Sequence, residues 1–174
     1  HDGNTLVDSR ADGSPNVPRN ASTIFNIQLL KKAAFWDGRV EIIQDDVQTP
    51  GVSMLRTPDS RMNLPDTSVA DDFIQAQAKF PITAIHEMFG HGPDKRKTNN
   101  AKRQQVLAGF LEVDDTGRDN PWLPLFQTAF DDSSTDPEHV ITIDRISTAL
   151  AFFQRSMWFV DNPWFEYLAG NSEA

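Results

Sequence analysis

Apolar positions along this chain recur mostly at helical spacing. The clearest set is Ile143, Ile146, Leu150, Phe153 and Met157, which follow a 3, 4, 3, 4 interval and predict one buried helical stripe. Thr142 stands in front of it as a cap, and Asp144 falls in the first turn, where the helix end favours negative charge. Ser68 can cap a helix running to Phe80, with Phe73, Ala76 and Phe80 on one face and Pro81 as its stop. Residues 97–112 predict another, with Val106, Phe110 and Leu111 inward, and Pro121 opens one that carries Trp122, Leu125, Phe126 and Phe130. A first helix is expected after Ser22, carrying Ile24, Phe25, Leu29 and Leu30 toward Phe35. Asp37-Gly38 is a turn signal, after which Val40, Ile42, Ile43 and Val47 suggest a second short helix. A further short helix is expected from Thr83 to Phe89, broken by Gly90-His91-Gly92-Pro93. Residues 1–22 and 48–67, rich in proline and polar groups, read as irregular. No strand pattern is long enough to predict a sheet, so the expectation is a mainly α chain with long loops.

Composition narrows the possible roles. At 174 residues the chain can bury a core without disulfides, and it contains no cysteine to form one. Thiolate nucleophiles and cysteine-ligated zinc are therefore excluded within these residues. No apolar run approaches the ~18 residues of a membrane-spanning helix. The net charge of −9 argues against nucleic acid, whose phosphates demand clustered cations. Lys95-Arg96-Lys97 and Lys102-Arg103 form the nearest basic cluster and read as a solvated face. Trp158, Phe159, Trp164 and Phe165 have no evident partner in the chain and would mark an interaction surface. That makes a segment of a longer protein the expectation.

Three blocks carry a family likeness: Pro18-Arg19-Asn20 through Asn26 and on to Phe35-Trp36-Asp37-Gly38-Arg39-Val40-Glu41; Phe80-Pro81-Ile82-Thr83 with Glu87-Met88-Phe89-Gly90; and Ile141-Thr142 through Arg155, closing on Asn162-Pro163-Trp164-Phe165-Glu166-Tyr167-Leu168-Ala169-Gly170. Their order and spacing resemble the segment between the two haem-attachment motifs of bacterial di-haem cytochrome c peroxidases and their maturase-like relatives. The resemblance implies a cytochrome c-like helical domain with long loops, within a two-domain di-haem architecture. Residues 1–174 would be the first haem domain up to the linker before the second. It further implies a periplasmic oxidoreductase using haem c, with the thioether cysteines outside this chain. Its reaction would be peroxide reduction, or peroxide-driven oxidation of a substrate, with electron transfer between two haems. The implied partners are the second haem domain of the same protein, a small redox protein as electron donor, and hydrogen peroxide.

Through the same resemblance, His1 takes the position of the ligand to haem iron, against the alternative of a leftover terminal residue. Asn20 matches a residue that helps bind calcium, and it can equally be a turn-capping Asn. Trp36 matches the tryptophan between the two haems, where an oxidisable indole can relay electrons, and a core aromatic is the alternative. Arg39 would pair with a haem propionate or with Asp37.

The chain also departs from the family pattern. No His lies between His1 and His86, so the distal His of the classical peroxidases is missing. The family's catalytic Glu is missing too; Pro58-Asp59-Ser60-Arg61-Met62 is the nearest string. Asp59 could take over proton transfer if its loop bends suitably, whereas Arg61 could stabilise charge but not act as a base. His86 and His91 superficially suggest a zinc-protease motif, but five residues set them about 140° apart on a helix. His139 reads as solvent-exposed. A haem-free helical domain, keeping the family scaffold for binding or assembly, is the alternative function.

Overall fold

The computed structural model describes residues 22–30, 32–45, 53–61, 64–66, 69, 72–85, 87–89, 97–112 and 120–171. Among these residues it contains six α-helices and a small three-stranded antiparallel sheet, so the chain is mainly α. The strands are β1 (Ala33–Ala34), β2 (Val40–Asp45) and β3 (Ser53–Arg56), side by side in that order. The helices are α1 (Phe73–Ala78), α2 (Asn99–Leu111), α3 (Leu123–Phe130), α4 (Pro137–Val140), α5 (Ile143–Ser156) and α6 (Pro163–Leu168).

The sheet corrects two expectations. Val40 and Ile42 do not lie on a short helix; they alternate with Glu41 in β2, pairing Glu41 with Ala33 on one side and with Arg56 on the other. β-branched residues on alternate positions, fed by a tight turn at Phe35–Gly38, favour a strand over a helix of that length. A register shift between Ile42 and Gln44 bends β2. Nor does a full helix follow Ser22: one 3-10 turn, Ile27–Leu29, is all that forms there. Asn26 enters that turn in the left-handed conformation and binds a distant segment instead of capping a helix.

The main core joins the sheet to two helices. Ile27, Val40, Leu55, Phe73, Ile74, Ala76, Phe80 and Ala151 form it, and α1 packs on β2, β3 and α5. Asp72 caps α1, accepting from the backbone N–H groups of Ile74 and Gln75 at 3.0 and 3.1 Å, while Ser68, the expected cap, lies outside the described residues. A second cluster gathers Val140, Ile141 and Ile146 with Leu107, Phe110, Leu123 and Phe126 from α2 and α3. Asn120 starts α3: its Oδ1 accepts from the N–H groups of Trp122 and Leu123, while its Nδ2 donates to the Phe110 carbonyl at 2.7 Å. Thr142 caps α5 as expected, accepting from Arg145 N at 3.2 Å.

The stripe predicted for α5 is rotated. Its buried residues are Ile146, Ser147, Ala151 and Gln154, whereas Leu150 and Phe153 are exposed. Small side chains let α5 approach α1 closely, and the Gln75 amide donates to Ser147, Thr148 and the Asp144 carbonyl across that contact. The described part of Thr83–Phe89 forms turns rather than a helix.

Candidate functional site

Two places in the fold hold the residues singled out from the sequence. The first is the β1–β2 hairpin. Gly38 N donates to the Phe35 carbonyl at 3.2 Å, and Phe35 and Gly38 both adopt positive φ (67° and 66°), which turns the chain sharply. That turn throws Trp36 outward, 70% exposed, so the indole is no core aromatic. Phe35 takes a half-buried place under the Arg39 guanidinium, 3.9 Å from ring centroid to Cζ. Arg39 then reaches Glu87 at 3.3 Å and, more loosely, Asp37 at 3.8 Å. The hairpin tip is thus clamped to residues of the turn after Phe80.

The second place lies at the end of β3. Thr57-Pro58-Asp59-Ser60 forms a turn closed by Ser60 N donating to the Thr57 carbonyl. Thr57 Oγ1 accepts from Asp59 N and donates to Asp66. The turn aims the Asp59 carboxylate at α2, where both oxygens are taken: Oδ2 pairs with Arg103 Nη1 at 2.7 Å, and Oδ1 accepts from Asn99 Nδ2 at 2.7 Å. Arg61, two residues on, is exposed, so the structure does not bring it into the same network.

Here the charges of α2 depart from the expectation of a solvated face. Lys102 and Arg103 are both more than nine-tenths buried. The Lys102 ammonium donates to the Thr83 carbonyl at 3.1 Å and lies 5.1 Å from the Phe89 ring centre. Arg103 donates through Nε to the Lys79 carbonyl and stacks over Phe80. Long stems cover apolar surface while the charged heads find acceptors, which is how cations can enter an interior. A cleft of about 330 Å³ opens beside them, bordered by Asp59, Lys79, Arg103, Leu107, Ile143 and Asp144. Lys79 crosses it to Asp144 at 2.6 Å. No sequence pattern marks Lys79 and Asp144 as partners, because they are 65 residues apart.

A third cluster sits where α3, α4 and α5 meet. Asp132 accepts from the backbone N–H of Ser134 and from Arg145 Nη1 at 2.7 Å. The Ser134 N–H first, then Arg145, hold its carboxyl below the usual carboxylate range. His139 is largely exposed, as expected, with Nε2 3.6 Å from the same carboxylate.

His1, Asn20, His86 and His91 lie outside the described residues. The haem implied by the family resemblance does not find its ligands among the residues described. The chain has no cysteine, the one described histidine is exposed beside Asp132, and no group of three metal-ligating side chains gathers among those residues. The cleft beside Asp59 is walled by two ion pairs as well as by Val69, Leu107 and Ile143, and no histidine lines it to ligate haem iron. No helix of the described residues is long and apolar enough to cross a membrane.

What these residues do offer is a broad apolar surface. Phe152, Phe153, Trp158, Phe159, Trp164 and Phe165 are about half exposed or more. Asn26 ties down Phe159, donating to its carbonyl and accepting from its N–H at 2.7 Å, while Phe25 meets the Phe159 ring edge-on at 5.4 Å. A left-handed Asn, the residue type that most readily adopts that conformation outside glycine, is the signal that could have found this anchor. No curated protein and no solved structure shows a significant match to the chain. The family model for di-haem cytochrome c peroxidase matches residues 2–173, essentially end to end, so the chain belongs to the di-haem cytochrome c peroxidase family.

Proposed function

We propose that this chain serves a haem-dependent, peroxidase-like oxidoreductase that reduces peroxide, or uses it to oxidise a substrate, with electrons passing between two c-type haems. Family membership supports haem oxidoreductase chemistry at the family level. The observation that carries the finer reading is Trp36: an indole 70% exposed on a turn whose flanking residues are pinned by Arg39 and the sheet. Such a ring can meet a partner surface without rearranging the fold, and indole is an aromatic ring that gives up an electron readily. In this reading Trp36 relays charge to the second haem domain of the same protein, and the aromatic surface around Phe159 and Trp164 packs against that domain.

The remaining assignments belong to the same proposal. His1 ligates haem iron, Asn20 contributes to a calcium site, and the thioether cysteines of haem c come from chain beyond these 174 residues. A small redox protein supplies electrons, and the setting is the periplasm. Asp59 is the carboxylate assigned to proton transfer, held by Asn99 and Arg103, and Arg61 offers positive charge at the surface.

The test is an intact mass and a visible absorption spectrum on the protein from its native host, wild type and Trp36→Phe. A Soret band with two covalent haems, and peroxide turnover that Trp36→Phe slows without changing the spectrum, is the expected result. A mass near 19.5 kDa without a Soret band would replace this reading with a haem-free helical domain used for binding or assembly.

A further inference from the structure

The tip of the β1–β2 hairpin holds Phe35 in a conformation that bulky side chains rarely adopt, with φ at 67°. Such a geometry persists only where its surroundings hold it. Within the hairpin, Ala34 pairs with Val40, and Gly38 N donates to the Phe35 carbonyl at 3.2 Å. A further restraint comes through Arg39. Its backbone N–H donates to Asp37 Oδ1 at 3.2 Å, and its guanidinium lies 3.9 Å from the Phe35 ring centre. Both of those contacts stay inside the tip. Among the described residues, Glu87 is the group from outside the hairpin that binds the guanidinium, at 3.3 Å from Nη2. Glu87 itself stands on a well-tied turn. Its N–H donates to the Ala84 carbonyl at 3.1 Å, and Met88 N donates to that of Pro81 at 3.2 Å. The buried Lys102 ammonium binds the Thr83 carbonyl and lies 5.1 Å from the Phe89 ring centre, which joins the turn to α2. Contacts therefore run without a break from α2, through this turn and Arg39, to Phe35.

We infer that Glu87 is a positioning residue for Trp36: by holding Arg39 on Phe35, it keeps the left-handed turn that directs the indole outward. The inference rests on the reading of Trp36 as a charge relay, and adds to it the group that aims the ring, 48 residues from Arg39. The indole has an interaction of its own as well. The clamp acts one residue earlier, on the backbone from which the ring projects. An ion pair this exposed is a weak restraint, so its loss loosens the tip and leaves the sheet folded.

The experiment uses the full-length protein from its native host as wild type, Glu87→Ala, Trp36→Phe and the double variant. Hydrogen exchange is followed at the Gly38 and Arg39 N–H groups, and peroxide turnover is measured with the Soret band as a check on the haems. Glu87→Ala is expected to speed exchange at the tip by roughly two- to five-fold, the worth of one exposed ion pair, and to leave α1 and α5 as they are. It should also lower the turnover number, as Trp36→Phe does, with the Soret band and the KM for peroxide unchanged. The double variant should be no slower than Trp36→Phe alone, because both changes act through one ring. Wild-type exchange at the tip of Glu87→Ala would overturn the inference. So would a double variant slower than Trp36→Phe, or wild-type turnover in Glu87→Ala where Trp36→Phe is slow. Wild-type turnover in Trp36→Phe, or no turnover in any form, would instead sink the relay reading, and faster exchange at the tip of Glu87→Ala would then still establish the clamp.

Discussion

Helices α1 and α6 are six residues each and are started in the same way, yet they end in opposite environments. Asp72 accepts from the second and third N–H groups of α1, and Asn162 does the same for Trp164 and Phe165 at the head of α6. All six residues of α1 are buried, including two glutamines. None of the six in α6 is buried, although Trp164, Phe165, Tyr167 and Leu168 make it the more apolar helix. The difference teaches that local chemistry decides where a short helix starts, while neighbours decide whether its apolar side is covered. α1 has the sheet on one side and α5 on the other. α6 follows an irregular segment, 157–161, that Asn26 ties down at Phe159, and none of its residues joins either cluster. Its rings stack on one another instead, Trp164 on Tyr167 at 5.8 Å.

The comparison breaks most visibly at the core. Ile74→Ala, which empties a site at 4% exposure in α1, should cost about 2–5 kcal/mol, whereas Trp164→Ala in α6 should stay within about 0.5 kcal/mol in this chain alone. Urea unfolding of the two variants reads this directly; a comparable loss for Trp164→Ala would mean α6 is covered after all. Next in size is Asp59→Ala. It leaves Arg103 charged, buried and short of its counter-ion, and about 2–3 kcal/mol should be lost, somewhat below the value for a fully buried pair because Asp59 is a quarter exposed. The double replacement Asp59→Ala with Arg103→Met should recover part of that loss if charge, not packing, is responsible.

The caps give a smaller and sharper test. Asn162→Ala should cost about 1 kcal/mol or less, most of it local fraying of α6 visible by hydrogen exchange. Asp72→Ala should cost more, about 1–2 kcal/mol, because Asp72 also pairs with Arg155 at 2.6 Å and so joins α1 to α5. Equal effects would show that the two caps differ in setting only.

Smallest is the acid response of the α3–α4–α5 junction. Asp132 has a folded-state pKa below its unfolded value, so the unfolded chain binds the proton first. Its contribution is present above the ordinary carboxylate range and is lost as pH falls through that range to the folded pKa. Asp132→Asn should flatten the stability profile there and change little of its shape at neutral pH, as followed by unfolding at a series of pH values. A pH profile unchanged by the substitution would remove Asp132 from the account of acid sensitivity.

Much of this organisation is legible in the order of residues alone. The Thr142 cap, the α5 helix and the helix within 97–112 follow from short-range pattern, and so does the apolar face shared by Phe73, Ala76 and Phe80. The exposed aromatics at 158–165 follow from their lack of partners. Pattern misleads where context outweighs it. The five apolar residues of α5 look like the buried stripe, but the helix turns its Ser147 and Ala151 inward because Gln75 and α1 lie against them. Val40, Ile42 and Ile43 could serve either period, and only pairing of β2 with Ala33 and Arg56 makes their segment a strand. Asp59 is marked by its place in the family register, yet nothing nearby in sequence foretells Arg103, which reaches it from 44 residues away.

By itself, then, the sequence determined the family, the mainly helical content, the Thr142 cap and the tryptophan at position 36, since each depends on residues within a turn or two or on order along the chain. The tertiary structure alone decided that Trp36 faces outward, that Lys102 and Arg103 go inside, and that Lys79 meets Asp144 across a cleft. Those outcomes depend on desolvation and charge pairing between residues dozens of positions apart, which no periodicity in the chain records.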